Sequence, residues 1–170
     1  MPKKQTRLVF FGHDFFGDDR ARKYLYRTQI TNGVAEANAH RIVKSKRIKY
    51  HAIYGDSTRA EDRVLAKHLP KETHNHYYWF KIRDRIHISH THVFDLTGRE
   101  KETLNYNVIL ELGVAYGERK EGFVLCTDRK LVQKHLTNLW GNQISEYSDT
   151  RSFRDLPTEV RNILLLDAEI

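Results

Sequence analysis

The chain reads as an α/β domain in which a mostly parallel sheet of about five strands carries helices on both faces. Three observations predict it. Short apolar runs of strand character alternate with segments of helical period from one end to the other. Turn and N-cap residues fall at the joints between them. No internal repeat, low-complexity tract or linker divides the 170 residues, so residues 1–170 read as one domain, long enough to bury roughly two-thirds of the unfolded surface.

The elements follow in order. Residues 7–11 form a buried strand, followed by a loop from Gly12 to Gly17 and a helix opened by Asp18 or Asp19 that runs through Arg22, Leu25 and Tyr26. Asn32-Gly33 is expected to interrupt that helix. Residues 48–54 alternate as a second strand, with Arg47 and Lys49 marking it as an edge. A short helix over 59–68 ends near Pro70, and residues 77–88 form a helix carrying Phe80, Ile82 and Ile86. Residues 92–95 make a strand, 103–119 a helix, and 123–126 another strand. Asp128 caps a helix to Leu136, residues 144–147 supply a last strand, and 156–166 close the chain as a helix with Pro157 in its first turn.

The helix over 103–119 is the most informative. Between Asn105 and Tyr116 its single charge is Glu111. At about 100° per residue, Val108, Leu112 and Ala115 share one face while Leu110 and Val114 lie on another, so this stretch is apolar nearly all round and is expected to be buried with Glu111 in it. A buried carboxylate is paired with a cation, neutralised by a raised pKa, or retained for chemistry.

Composition bounds the setting. Twenty-nine Lys and Arg against 22 Asp and Glu give a formal charge of +7, which suits an anionic partner without separating nucleotide from nucleic acid. Lys44, Lys46, Arg47 and Lys49 lack interleaved aromatics, so at most weak, non-specific nucleic-acid binding is expected. Cys126 stands alone and cannot form an internal disulfide. No apolar run approaches the roughly 18 residues of a membrane span, and Met1-Pro2-Lys3-Lys4-Gln5-Thr6 leads into a run too short for a signal peptide, so a cytoplasmic protein without a membrane partner is expected.

In open α/β sheets, ligands bind outside the carboxyl ends of the strands where the strand order reverses. Three strand ends are chemically marked: Phe11-Gly12-His13-Asp14, Asp95-Leu96-Thr97-Gly98 and Cys126-Thr127-Asp128. Glu111, little more than a turn into the helix that follows the second of these, can face the same crevice, with the helix N-terminus favouring its negative charge.

Phe94-Asp95-Leu96-Thr97 followed by Asn105-Tyr106-Asn107-Val108-Ile109-Leu110-Glu111-Leu112-Gly113-Val114-Ala115 resembles the DLT and NVxxELGxA signature of nucleoside 2-deoxyribosyltransferase-like proteins and of bacterial TIR-like predicted nucleotide-binding proteins. Leu8-Val9-Phe10-Phe11-Gly12-His13-Asp14 is similar to the first strand and loop of the TIR-like group, and residues 136–144 resemble the segment before that group's last strand. Residues 45–89 have no counterpart in either. The resemblance implies a flavodoxin-like or TIR-like fold, places Glu111 on the catalytic glutamate that attacks or stabilises the anomeric carbon of an N-glycosidic bond, and implies subunits that complete one another's pockets.

The other residues fit that chemistry. Breaking a bond between sugar and base develops oxocarbenium character, which a carboxylate beneath C1′ stabilises or bonds. Asp95 and Asp14 can accept ribose hydroxyls or shuttle a proton, and Asn107 can orient the same hydroxyls. Phe11, Phe15 and Tyr116 offer aromatic faces to a base. Amides around Gly12, His13 and Gly17, with Arg20, can meet phosphate, while Thr97 and Gly98 line the second strand end. The glycine spacing is not the dinucleotide fingerprint G-x-G-x-x-G, so no cofactor is expected, and NAD or another nucleotide enters as substrate.

Each assignment has a plainer alternative: Glu111 in an ion pair, Asp95 and Asp14 in turns, Asn107 as a cap, the phenylalanines in the core. Two other functions compete. A non-catalytic module can bind a nucleotide signal in the same pocket. A metal-dependent nuclease is suggested by His74, His76, His87, His90 and His92 with Glu118-Arg119-Lys120, although an E-x-K pair at a helix end lacks the strand geometry that would aim both side chains, and no metal ligand is assigned. Finally, Ile163, Leu164, Leu165, Leu166 and Ile170 supply apolar surface on two helix faces, so a homo-oligomer burying Leu165 is expected.

Overall fold

The computed structural model describes residues 5–13, 16, 19–55, 78–100, 102–120, 122–136, 144–148 and 151–170. Along these the elements run β1 (Gln5–Gly12), α1 (Arg20–Ala39), α2 (Arg41–Ser45), β2 (Ile48–Tyr54), α3 (Tyr78–Ile88), β3 (Thr91–Asp95), α4 (Tyr106–Gly117), β4 (Phe123–Cys126), α5 (Arg129–His135), β5 (Ile144–Glu146) and α6 (Leu156–Glu169). The helix expected over 59–68 lies outside the described residues.

All five strands pair in parallel in the order β2-β1-β3-β4-β5, the flavodoxin-like arrangement. The chain leaves β1 in one direction to make β2 and returns on its other side to make β3, so strand order reverses between β1 and β3. Period-two alternation sorts the side chains. Val9, Phe11 and Val93 enter one core with α1 and α6, whereas Leu8, Phe10 and Phe94 enter a second with α3, α4 and α5. β2 is an edge strand, as Arg47 and Lys49 indicated.

Local signals account for the helix ends. Asp19 caps α1 by accepting from Arg22 N at 2.9 Å, and Asp128 caps α5 by accepting from Leu131 N at 2.9 Å. α4 starts later than expected because Asn105 is its cap, its Oδ1 accepting from Asn107 N at 3.1 Å and Val108 N at 3.3 Å.

Two expectations are corrected. Asn32-Gly33 does not interrupt α1. Gly33 is the point where α6 comes closest: a Cβ there would sit 2.6 Å from Pro157 O and 2.8 Å from Val160 Cβ, so the residue permits helix contact and does not break the helix. α4 is not buried all round. Val108, Glu111, Leu112 and Ala115 face the sheet, while Leu110 is 57% exposed and Tyr106 79% exposed. On α6, Ile163 and Leu164 are buried in the chain's own core, Leu165 packs partly against it, and only Leu166 and Ile170 of this group are exposed.

Candidate functional site

The carboxyl ends of β1 and β3 hold two buried carboxylates. Glu111 is 3% exposed. It lies on the inward side of α4, directed at the last residue of β1: a Cβ added to Gly12 would fall 2.5 Å from Glu111 Oε2, 2.9 Å from Phe94 and 3.4 Å from Phe10. Only a glycine admits the carboxylate here. The Phe10 and Phe94 rings, 5.8 Å apart, border the same space at Gly12.

Asp95 is 4% exposed and projects from the opposite face of the sheet, next to Phe94 in sequence and therefore on the other side of the pleat. Its Oδ2 accepts from Tyr26 Oη at 2.7 Å and Tyr147 Oη at 2.8 Å, and its Oδ1 accepts from Thr97 N at 3.0 Å. Burial raises its pKa, while the bonds from Thr97, Tyr26 and Tyr147 pull the other way. Burial, with Asp95 beside them, also raises both tyrosine pKa values, so both remain donors. The two carboxylates therefore flank the strand ends from opposite faces: Glu111 on the α4 side, and Asp95 held in place on the α1 side.

His13, just beyond Gly12, is buried against Tyr26 and Tyr54. Its Nε2 accepts from Arg27 Nε at 3.3 Å, and the same guanidinium lies 4.2 Å over the Tyr54 ring. Buried Arg85 of α3 donates to the carbonyls of Tyr54 and Gly55, fixing the end of β2.

A cleft of about 360 Å³ opens at the ends of β3 and β4, with Arg22, Thr97, Gly98, Arg99, Thr103, Cys126 and Asp128 among its walls. A smaller pocket against Asp95, Tyr147, Phe16 and Phe153 shares Arg22, Thr97, Gly98 and Arg99 with it. The loop between β3 and α4 that forms one wall is pinned by Gly98 N donating to Thr103 O at 3.0 Å and Asn105 N to Leu96 O at 2.9 Å. Cys126 is no nucleophile here, because burial pushes its thiol up to about 12.

The structure thus brings Gly12, His13, Asp95, Thr97, Gly98 and Glu111 to neighbouring strand ends, while Asp14, Phe15 and Gly17 lie outside the described residues. Four candidates are placed otherwise. Phe11 is 1% exposed and packed on Tyr54, so its ring is core and offers no face. Tyr116 sits about 140° round α4 from Glu111, on the outward side. Asn107 is exposed in the first turn of α4. Arg20 is exposed at the start of α1, and Arg22, two residues on, takes the cleft position, stacked over Phe16 and Phe153 at 5.4 and 5.7 Å. Sequence reasoning missed Tyr26, Tyr147, Arg22 and Arg99. The only available signal was polar-tipped aromatics at core positions.

His87, His90 and His92 are engaged separately. His87 Nδ1 is 3.1 Å from Glu118, His90 Nδ1 accepts from Leu8 N at 3.2 Å, and His92 Nε2 is 2.8 Å from Ile86 O. Lys120 Nζ donates to the carbonyls of Ile86, His87 and Ser89, closing the end of α3. Among the described residues no three His, Cys, Asp or Glu side chains gather to hold a metal ion, and no helix is long and apolar enough to cross a membrane. His74 and His76 lie outside the described residues.

No protein-family model matches the chain, and no curated protein matches it in sequence. Among solved structures it is similar to the 2-desoxiribosyltransferase from Leishmania mexicana at 14% identity and a TM-score of 0.41, over 72% of this chain and 65% of that one. It is also similar to the NAD(P)H:quinone oxidoreductase from Methanothermobacter marburgensis at 10% identity and a TM-score of 0.40, over 94% of this chain and 96% of that one. Both likenesses are remote, and the fold assignment rests on the strand order and pairing of the chain itself.

Proposed function

We propose that this protein binds a nucleotide or nucleoside across the ends of β1 and β3 and cleaves or exchanges its N-glycosidic bond, with Glu111 as the carboxylate that meets the anomeric carbon. The observation that carries this reading is the approach of Glu111 Oε2 to Gly12, with Phe10 and Phe94 bordering the same space. A negative charge held there, at the strand-order reversal, is suited to a cation that develops only as the glycosidic bond breaks. The resemblance of the segments around Asp95 and Glu111 to the deoxyribosyltransferase-like and TIR-like signature supports the same assignment.

Asp95 narrows the substrate. With both oxygens accepting hydrogen bonds, it is poorly placed to deliver a proton to a departing base. A base that leaves without protonation suits such a site, which favours NAD, whose nicotinamide departs neutral, over a nucleoside carrying an ordinary base. Thr97, Gly98, Arg22 and Arg99, which line the cleft at the ends of β3 and β4, would take the remainder of a nucleotide in this reading.

The test is incubation with NAD, nucleosides and deoxynucleotides while following released base. Release that disappears in Glu111→Gln and persists in chelator supports the reading. Glu111→Gln retains the shape without the charge, so undiminished turnover in a folded variant would falsify the catalytic role. Binding without release from any substrate would leave a nucleotide-signal module, and release that requires a divalent metal would point to the nuclease alternative.

A further inference from the structure

We propose that Arg27 and His13 form a proton-sensitive clamp that holds the end of β1, and with it Gly12, in place against Glu111, which makes His13 a positioning residue for the reaction. His13 lies one residue beyond Gly12. Its side chain turns to the α1 side of the sheet, while Glu111 approaches Gly12 from the α4 side. There His13 is 6% exposed, with the rings of Tyr26, Tyr54 and Phe16 centred 5.0, 5.5 and 5.9 Å from its own. Nε and Nη2 of Arg27 both lie 3.3 Å from Nε2 of the imidazole. The same guanidinium is stacked 4.2 Å over Tyr54, whose carbonyl accepts from Arg85.

The contact fixes where the proton of the ring sits. A guanidinium offers only donors and keeps its charge at any pH the fold survives, so the lone pair of Nε2 has to face it. His13 is therefore neutral, with its hydrogen on Nδ1. A second proton would set N–H against N–H and cation against cation at 3.3 Å, among three aromatic rings. The ionisable groups on the surrounding elements do not offset this. Tyr26 of α1 gives its hydroxyl to Asp95 of β3, which already accepts from three donors, and Tyr54 of β2 meets the imidazole edge to face. Arg85 of α3 adds a second cation at the Tyr54 carbonyl, and Glu111 of α4 lies on the other side of the strand. On protonation His13 must leave its pocket or expel Arg27. Either movement shifts the Gly12 backbone against which Glu111 is set, so α1 acts on the carboxylate across the sheet without touching it.

NMR of the full chain with 15N-labelled histidine reads the clamp directly and needs no variant to fold. His13 should carry its proton on Nδ1 and titrate about one pH unit or more below exposed His135 in the same spectra, and in Arg27→Met its midpoint should rise by about one unit. Base release reports the coupling, and that arm rests on the reaction assigned to Glu111. The acid limb of kcat should move to higher pH in Arg27→Met and to lower pH in His13→Gln, which keeps an acceptor for Arg27 and has nothing to titrate. At about pH 8 His13→Gln should retain kcat within about threefold of the wild type. A merely structural pair would instead lower kcat by one factor at every pH. A proton on Nε2, a His13 that titrates together with His135, or acid limbs that coincide in all three proteins overturns the proposal. Should no substrate release base, the glycosidic reading fails alone, and the tautomer and titration of His13 still decide the clamp.

Discussion

Gly12 and Glu111 are 99 positions apart in sequence, yet the space a Gly12 side chain would fill is taken by the Glu111 carboxylate. Gly12→Ala must therefore push aside either the carboxylate or the Phe94 ring, and the end of a flexible side chain yields before a packed ring. The expected cost in stability is about 1–3 kcal/mol, typical of overpacking. Activity should fall far more, by about a hundredfold for a carboxylate displaced by the order of 1 Å. Base-release assays alongside urea denaturation test this, and a variant with full activity would show that Glu111 need not sit where it does.

Gly33→Ala sets two effects against each other. In an exposed helix interior, replacing Gly by Ala gains about 1 kcal/mol. Here the new methyl would lie 2.6 Å from a backbone carbonyl of α6, which cannot swing away, so α1 and α6 must separate. Overpacking should win, with a net loss of about 1–3 kcal/mol. A rise in thermal midpoint would show that the two helices slide apart at little cost.

These two glycines also show what the sequence could and could not reveal. The sheet was legible because alternation and capping are local, and the ends of β1, β3 and β4 could be marked residue by residue. A glycine's purpose is not local. Gly33 reads as a break until α6 is known to lie on it. Asp95 likewise read as a free helper because its partners Tyr26 and Tyr147 stand 69 and 52 residues away, on elements whose pattern announces only core. Glu111 was legible as a lone charge in an apolar helix. The outer face of α4 was misread as buried because apolar residues such as Leu110 read as core from sequence alone, although Leu110 is 57% exposed.

The basic cluster supports a salt-dependent prediction. Lys44, Lys46, Arg47 and Lys49 are all exposed where α2 leads into edge strand β2. With no aromatic platform among them, they can contribute phosphate contacts alone. Duplex binding should be weak and indifferent to sequence, and it should lose about 0.9 log units per contact for each tenfold rise in salt, so at most about fourfold that slope. Fluorescence anisotropy across a salt series measures it. Tight, sequence-selective binding at physiological salt would place nucleic acid among the substrates.

Asp95 gives the chain a pH dependence whose sign is fixed by burial. Because burial raises its pKa above the ordinary aspartate value, there is a window, opening at that value and closing at the raised one, in which the folded chain still holds a proton that the unfolded chain has released. Within that window stability falls as pH rises, and the loss is complete once the folded carboxyl has ionised. Asp95→Asn carries no such proton. It leaves one of the three donors without an acceptor, a pH-independent cost of about 1–3 kcal/mol, so the informative quantity is slope and not level. Urea denaturation from about pH 3.5 to 7 should therefore show the wild type losing stability relative to Asp95→Asn as the window is crossed, and running parallel to it above. A wild type that instead gains on the variant with rising pH would mean that the hydrogen bonds from Tyr26, Tyr147 and Thr97 outweigh burial and hold Asp95 as a carboxylate throughout.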